Sequence, residues 1–118
     1  MNMEFKIHTK DTGKIAELQS NVILAEVQDF LDMMGNANSL RTNKMVIHQH
    51  QLHPDFFDLK TRMAGEILQK FSTYRQKLAI IGDFSAYESK SLRDFIRESN
   101  RVGRILFAGS LDEALNRL

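Results

Sequence analysis

The sequence predicts an α/β domain with one mixed, mainly parallel sheet of four or five strands and four helices, in the order ββαβαβαβα. Three observations predict it. Short apolar runs alternate with amphipathic stretches from residue 44 onward, polar turn residues separate them, and an alternating segment opens the chain. A strand–helix–strand order implies parallel pairing with right-handed crossovers. With 118 residues, the chain fits one domain spanning 1–118.

Alternation of polar and apolar residues predicts that the chain opens with a β-hairpin. Polar residues separate Met3, Phe5 and Ile7, which is the period of a half-buried strand. Turn residues follow at 11–13, and a second strand is expected over 14–18.

The first helix is expected from apolar residues that recur at roughly helical spacing between Val22 and Met34. Ser20 or Asn21 is the expected cap at its start, and the Gly-Asn pair at 35–36 is its expected end.

The next strand and helix follow a polar connection. The strand is expected within residues 44–50, where 45–47 form a compact apolar run. The helix follows Pro54, and its apolar residues step by four from Leu59 to Phe71. Gly65 lies inside this helix, where it costs about 1 kcal/mol relative to alanine. Close packing against a neighbouring backbone and a tolerated defect both remain open as explanations.

Two more strand–helix units complete the domain. Residues 78–81 are the strongest buried-strand signal, and 104–108 form the last strand. Two Ser-x-x-Glu spacings predict capping boxes at the starts of the third and fourth helices: Ser85 with Glu88, and Ser110 with Glu113.

Several stretches of these elements together resemble a family of small bacterial proteins catalogued only as a domain of unknown function. The stretches are residues 56–61, 64–71, 78–85 and 89–96. This resemblance implies a class of domain and no mechanism.

More distantly, the order of elements resembles the STAS domain, the fold of anti-sigma-factor antagonists, which implies a partner-binding role. In that group an Asp-Ser pair stands at the start of a helix, and phosphorylation of the serine switches binding to a partner kinase. Asp58 matches the aspartate, but Leu59 occupies the serine position and Thr61 lies two residues further along. The phosphoserine switch therefore does not carry over.

Composition and motifs exclude several classes of function. The chain has no cysteine, which excludes disulfides, thiolate metal sites and cysteine nucleophiles. The formal net charge of +1 provides no strong field, so nucleic acid is an unexpected partner. No apolar run approaches the roughly 20 residues needed to cross a bilayer. We expect a cytoplasmic protein with no membrane partner. Serine-hydrolase and phosphate-loop motifs are missing, which disfavours an enzyme, and no cofactor is expected.

The carboxyl ends of the strands are the expected functional surface, because ligands of open α/β sheets gather there. Two adjacent aromatics at 56–57 cannot both point into one core from one element face, so an exposed ring would indicate an interface; a connection that folds back and buries both rings remains open. We expect Asp58 and Asp83 to be neighbours at this edge. The leading hypothesis is a binding or regulatory domain that contacts a protein partner, or a second copy of itself, through Phe56, Phe57, Asp58, Lys60, Thr61, Asp83, Phe84 and Ser85.

Two alternatives use the same edge of the sheet. One is a metal-assisted enzyme with His48, His50, Asp58 and Asp83, since imidazoles and carboxylates can hold zinc and activate water. Histidines that are solvated, or bonded to a neighbouring carbonyl, explain the same pattern. The other alternative is a small-molecule sensor with a pocket at this edge.

Overall fold

The computed structural model describes residues 2–118 and confirms an α/β architecture with one mixed five-stranded sheet and four helices. Three 3-10 turns, Gln49–Gln51, Pro54–Phe57 and Leu59–Thr61, connect β3 to α2. Among the described residues, no helix has the length and apolar character needed to cross a membrane. In chain order the elements are β1 (Phe5–Lys10), β2 (Gly13–Leu18), α1 (Val27–Ser39), β3 (Lys44–His48), α2 (Met63–Thr73), β4 (Lys77–Ile81), α3 (Lys90–Val102), β5 (Ile105–Ala108) and α4 (Leu111–Arg117).

The strands lie side by side in the order of the chain, β1-β2-β3-β4-β5. The hairpin of β1 and β2 is antiparallel, with Phe5 opposite Leu18 and Lys10 opposite Gly13. Each later strand runs parallel to the one before it. The carboxyl ends of β2 to β5 therefore lie at one edge of the sheet, and their amino ends at the other.

One face of the sheet carries the larger core. Strand residues such as Met45, Ile47 and Ile80 are completely buried there against Phe30 of α1 and Phe71 of α2. Helix α3 packs on the same core through partly buried apolar side chains. At about 1.5–3 kcal/mol for each large apolar side chain removed from water, this layer is the main source of stability.

The opposite face has a smaller core under the seven-residue helix α4. Val46, Ala79 and Leu106 of the sheet are buried there, and Ala114 of α4 packs on them. Half of the predicted capping box forms at this helix: the Ser110 hydroxyl accepts a hydrogen bond from the Glu113 backbone N–H at 3.2 Å, while the Glu113 carboxylate accepts from the Gly109 N–H and not from that of Ser110.

Helix α1 begins and ends later than predicted. Leu24 has the right spacing for the helix, but its backbone instead bonds to Gln51 and His53 in an isolated parallel bridge. The helix starts at Val27, and the carboxylate of Asp29 satisfies free backbone N–H groups at its start. The Gly-Asn pair at 35–36 lies inside the helix, so predicting the helix end there was wrong.

Helix α3 also begins later than predicted. The Ser85–Glu88 capping box does not form, because residues 82–89 remain a connection. The helix starts at Lys90, and the Ser89 hydroxyl accepts from the Leu92 N–H at 3.2 Å.

Gly65 has open space around it. A Cβ added there would meet nothing within 4 Å, so close packing is not the reason for this glycine. The tolerated defect is the explanation that fits.

Three similar turns lead from a helix into the following strand. Arg41, Arg75 and Gly103 follow α1, α2 and α3, and all three adopt left-handed backbone conformations, with φ of 65°, 55° and 87°. In each turn this residue's N–H closes the end of its helix, as when Arg41 N–H donates to Asn38 O. Glycine adopts the conformation freely, whereas for an L-residue it costs about 1–2 kcal/mol.

Candidate binding surface at the carboxyl ends of the strands

Two irregular connections meet beyond the carboxyl ends of β3 and β4. They are residues 49–62 and 82–89. The ring of Phe57 from the first stacks on Tyr87 from the second at a centroid distance of 4.8 Å, and lies 5.9 Å from Phe84. We call the residues of these connections and of the start of α3 that group around the rings the carboxyl-end surface: Phe57, Asp58, Leu59, Lys60, Asp83, Phe84, Ser85, Tyr87, Ser89 and Ser91.

The two adjacent phenylalanines have different environments. Phe56 is 0% exposed and packs edge-on against Phe57 at 5.1 Å and beside Phe107 at 6.3 Å. Phe57 is only partly buried. Phe56 therefore supports the carboxyl-end surface from below, and its side chain is not accessible to a partner. Of this pair, only Phe57 offers a ring to bind.

Local hydrogen bonds fix the turn that presents Phe57. The Asp58 carboxylate accepts from the Lys60 N–H at 3.1 Å. The Thr61 hydroxyl donates to the backbone carbonyls of Asp55 and Asp58 at 2.7 and 2.8 Å. Asp58 and Thr61 thus shape the turn, while the Lys60 side chain is exposed.

Gln49 joins the ends of β3 and β4. Its Nε2 donates to the Tyr87 hydroxyl at 3.0 Å, and its Oε1 accepts from the Asp83 N–H at 3.2 Å. The side chain lies directly over Gly82, where an added Cβ would be 2.4 Å from Gln49 Oε1 and 2.7 Å from Gln49 Cβ. Only glycine at position 82 leaves room for this bridge. Nothing in the spacing of the sequence pointed to Gln49.

Asp83 organises its own loop. Its Oδ1 accepts from the Ser85 hydroxyl at 2.6 Å and from the Ser85 N–H at 3.0 Å. These two hydrogen bonds hold the pKa of the Asp83 carboxyl below its ordinary value. Ser85, the predicted helix cap, is instead the partner of this carboxylate.

A cleft of about 590 Å³ opens beside the aromatic stack. The cleft volume is in the range of small-ligand sites. The two connections that carry Asp58 and Asp83 contact each other through Phe57 and Phe84. Of the two aspartates, only Asp58 lines the cleft. The lining residues are Phe57, Asp58, Leu59, Lys60, Ser89 and Ser91.

A histidine–glutamate–histidine cluster lies on the face of the sheet that α4 covers only in part. Glu17 of β2 is 5% exposed, and its two carboxylate oxygens bond to His8 Nε2 and His48 Nε2, each at 2.8 Å. His50 stacks on His48 at 5.6 Å, and Lys6 is the cross-strand partner of Glu17.

The histidines determine the ionisation of Glu17. Burial alone would raise the pKa of this carboxyl. The hydrogen bonds from His48 and His8, together with electrostatic attraction to the two imidazoles, outweigh burial and hold the pKa below its ordinary value. Sequence reasoning found His48 but missed Glu17 and His8, because their meeting depends on the register of three strands.

The arrangement of these groups does not support the metal-assisted alternative. His48 binds Glu17, while Asp58 and Asp83 bond within their own loops. Within residues 2–118, no group of three or more His, Asp or Glu side chains is placed to hold a metal ion.

Comparison with known proteins gives a family and no activity. A family model described as "Domain of unknown function (DUF4180)" matches residues 10–118. This range includes the whole carboxyl-end surface and both Glu17 and His48, while His8 precedes it. No curated protein and no solved structure gave a match. The match covers most of the chain, which therefore belongs to the family described as Domain of unknown function (DUF4180).

Proposed function

We propose that this chain is a non-enzymatic binding or regulatory domain that contacts a protein partner through the carboxyl-end surface. The observation that carries the proposal is the stack of two partly exposed rings, Phe57 and Tyr87, beside a 590 Å³ cleft. Aromatic side chains supply much of the binding energy of protein interfaces, especially where they surround or fill a pocket.

Preorganisation supports the proposal. The Tyr87 ring is held by Phe57 and by Gln49, so little side-chain freedom remains to be lost when a partner binds. Asp58 and Lys60 place opposite charges next to the rings, and charged groups at a rim contribute mainly to orientation and specificity. The same surface is suited to a second copy of the chain.

We also infer a STAS-like fold and a location in the bacterial cytoplasm. The element order and the consecutive strands of the sheet support the fold, which accords with a partner-binding role. The absence of cysteine is typical of a reducing compartment. A phosphoserine switch is not part of the proposal, because Leu59 stands where that switch needs a serine.

The test compares three aromatic truncations, two in the carboxyl-end surface and one at the other end of the sheet. A photo-crosslinking amino acid at Lys60 identifies the partner in cells, and the affinity of the purified partner is then measured by calorimetry. We expect Tyr87→Ala and Phe57→Ala each to weaken binding at least tenfold. Tyr74→Ala removes an exposed ring at the other end of the sheet and should leave affinity within twofold. Equal affinities for all four proteins would refute the proposal.

The cleft also favours a second candidate, a small-molecule sensor. A metabolite at 100 times its dissociation constant stabilises the native state by about 2.7 kcal/mol, which thermal-shift screening detects. A stabilising metabolite that loses its effect in Lys60→Gln and Ser91→Ala, but not in Lys77→Gln, would favour the sensor over the protein-binding domain.

A further inference from the structure

Positive charge is concentrated at the amino ends of the parallel strands, opposite the carboxyl-end surface. Lysines stand at or near the starts of β2, β3 and β4, and arginines stand in the turns before β3, β4 and β5. Asp11, in the hairpin turn, is an acid close to Lys14 in sequence. The net charge of +1 therefore conceals an uneven distribution. The six basic residues are Lys14, Lys44, Lys77, Arg41, Arg75 and Arg104.

A polar cleft of about 370 Å³ lies between the hairpin turn and the turn from α1 into β3. The side chains that line it are all amides, hydroxyls or cations, with no acid and no large apolar group among them. Such a lining is suited to an anion. The lining residues are Thr12, Gly13, Lys14, Asn38, Arg41, Thr42, Asn43 and Lys44.

Two of these cations are available to a ligand. Lys44 Nζ already donates to Leu118 O at 3.0 Å. Lys14 and Arg41, by contrast, are exposed, and their side chains form no hydrogen bond or ion pair with residues 2–118. A phosphate group needs donors that are not already used, and Arg41 supplies a planar set of them.

The three equivalent turns show that Arg41 is not required by the fold. The turn after α3 has glycine in the left-handed position, and the following Arg104 uses its guanidinium structurally, donating to Gln76 O at 3.0 Å. The turns after α1 and α2 have arginine in the left-handed position instead, and the Arg41 guanidinium forms no hydrogen bond or ion pair with residues 2–118. Arg41 thus adopts a strained backbone conformation although its side chain forms no stabilising bond within residues 2–118.

The dipole of α1 is the competing explanation for this charge. A helix end carries about half a negative charge, which attracts cations and repels anions. In α1, however, the last turn contains no basic residue, and the N–H groups of Leu40, Arg41 and Thr42 already bond to the terminal carbonyls. The full positive charges of Lys14 and Arg41 together exceed the partial negative charge at the end of α1, so the cleft can still attract an anion.

We propose that this amino-end cleft binds a small phosphate-bearing ligand, held by Lys14 and Arg41. Arginine forms paired hydrogen bonds to a phosphate, and lysine adds a point charge. The cleft volume admits a small organic phosphate. This site is independent of the carboxyl-end surface.

The test is an NMR titration of the full chain with pyrophosphate at constant ionic strength. We expect saturable shifts of the backbone amides at 12–14 and 38–44. Arg41→Gly should weaken binding at least tenfold while leaving the thermal midpoint equal or higher, because glycine suits this backbone. Arg62→Gly is the matched control: Arg62 also has a left-handed backbone, φ 64°, but precedes α2 at the other end of the sheet.

Three results would overturn the proposal. The first is the absence of saturable shifts. The second is an equal loss of affinity in Arg41→Gly and Arg62→Gly, which would reduce the effect to overall charge. The third is a single-stranded oligonucleotide that binds the same amides more than tenfold tighter than pyrophosphate does. That outcome would replace the small ligand with a nucleic-acid backbone.

Discussion

The two ends of the sheet are built differently. At the carboxyl ends, a connection of 14 residues that includes three short turns leads from β3 to α2, and eight residues lead from β4 to α3. At the amino ends, each helix enters the next strand through a turn of two to four residues. Long connections carry rings and hydrogen-bond networks at one end, and short turns carry exposed cations at the other. Loops displayed on a rigid scaffold are where binding residues concentrate.

The two ends of the sheet are held in place by different interactions. The carboxyl-end surface is ordered by the core, because Phe56 anchors it and Gln49 joins its two connections. The amino ends are ordered mainly by backbone hydrogen bonds that close each helix, and the side chains of Arg41 and Arg75 form no hydrogen bond or ion pair with residues 2–118. Substitutions should therefore disturb the first end strongly and the second weakly.

Truncating the anchor should have the largest effect. Phe56→Ala removes a ring that is fully buried beneath the carboxyl-end surface, so the free energy of unfolding should fall by about 3–5 kcal/mol. Tyr74→Ala, at an exposed position of the amino end, should change it by less than about 0.5 kcal/mol. Urea denaturation measures both. A loss below about 1 kcal/mol for Phe56→Ala would show that the core does not anchor this surface.

Glu17 ties the carboxyl end of β3 to the hairpin through its bonds to His48 and His8. Glu17→Gln should lower the free energy of unfolding by about 1–2 kcal/mol at pH 7, because a charged acceptor of two hydrogen bonds is lost.

The lowered pKa of Glu17 also makes the free energy of unfolding depend on pH. The pKa of Glu17 in the folded chain lies below the ordinary 4.5, so its contribution is present above pH 4.5 and is lost as pH falls through the folded value. Urea denaturation between pH 3 and 7 should show a steeper acid loss in the parent than in Glu17→Gln. Parallel profiles would mean that the two histidines do not stabilise the carboxylate.

Substitutions at two glycines should have opposite effects on stability, because Gly82 lies against Gln49 and Gly65 faces open space. Gly82→Ala should cost about 1–2 kcal/mol, because the new methyl group displaces Gln49 and breaks its bonds to Tyr87 and Asp83. Gly65→Ala has open space and should add up to about 1 kcal/mol. Thermal unfolding checks the opposite signs. If Gly82→Ala were neutral, the Gln49 bridge would not order this end.

The smallest effect is expected at the amino ends. Arg75→Gly should raise the free energy of unfolding by about 0.5 kcal/mol, since relief of the left-handed conformation slightly exceeds the entropy cost of glycine. Ser72→Gly, in the regular helix nearby, should lower it by a similar amount. A destabilised Arg75→Gly would imply an internal role for that guanidinium.

Local sequence patterns predicted the elements in which no long-range interaction overrides the apolar spacing. The buried strands β3, β4 and β5 follow from short apolar runs, and the hairpin follows from alternation and a turn at 11–13. The start of α1 could not be found this way. Leu24 fits the helical spacing, yet a bond from its N–H to Gln51 O, 27 residues away in sequence, takes it out of the helix.

The candidate site was predictable only in outline. Parallel strands bring their carboxyl ends together, so the meeting of the Asp58 and Asp83 connections followed from topology. Which of two adjacent phenylalanines is buried, and that Gln49 bridges to Tyr87, depend on side-chain packing between separate connections. The Glu17–His48 bond likewise depends on the register of β2 against β3.

The most direct test of the account is the hydrogen-exchange footprint of a bound partner on the parent chain. We predict protection over residues 57–60 and 84–91, with exchange at 40–44 and 74–77 unchanged. Protection confined to the turns at the amino ends would contradict the assignment of the carboxyl-end surface as the protein-binding face.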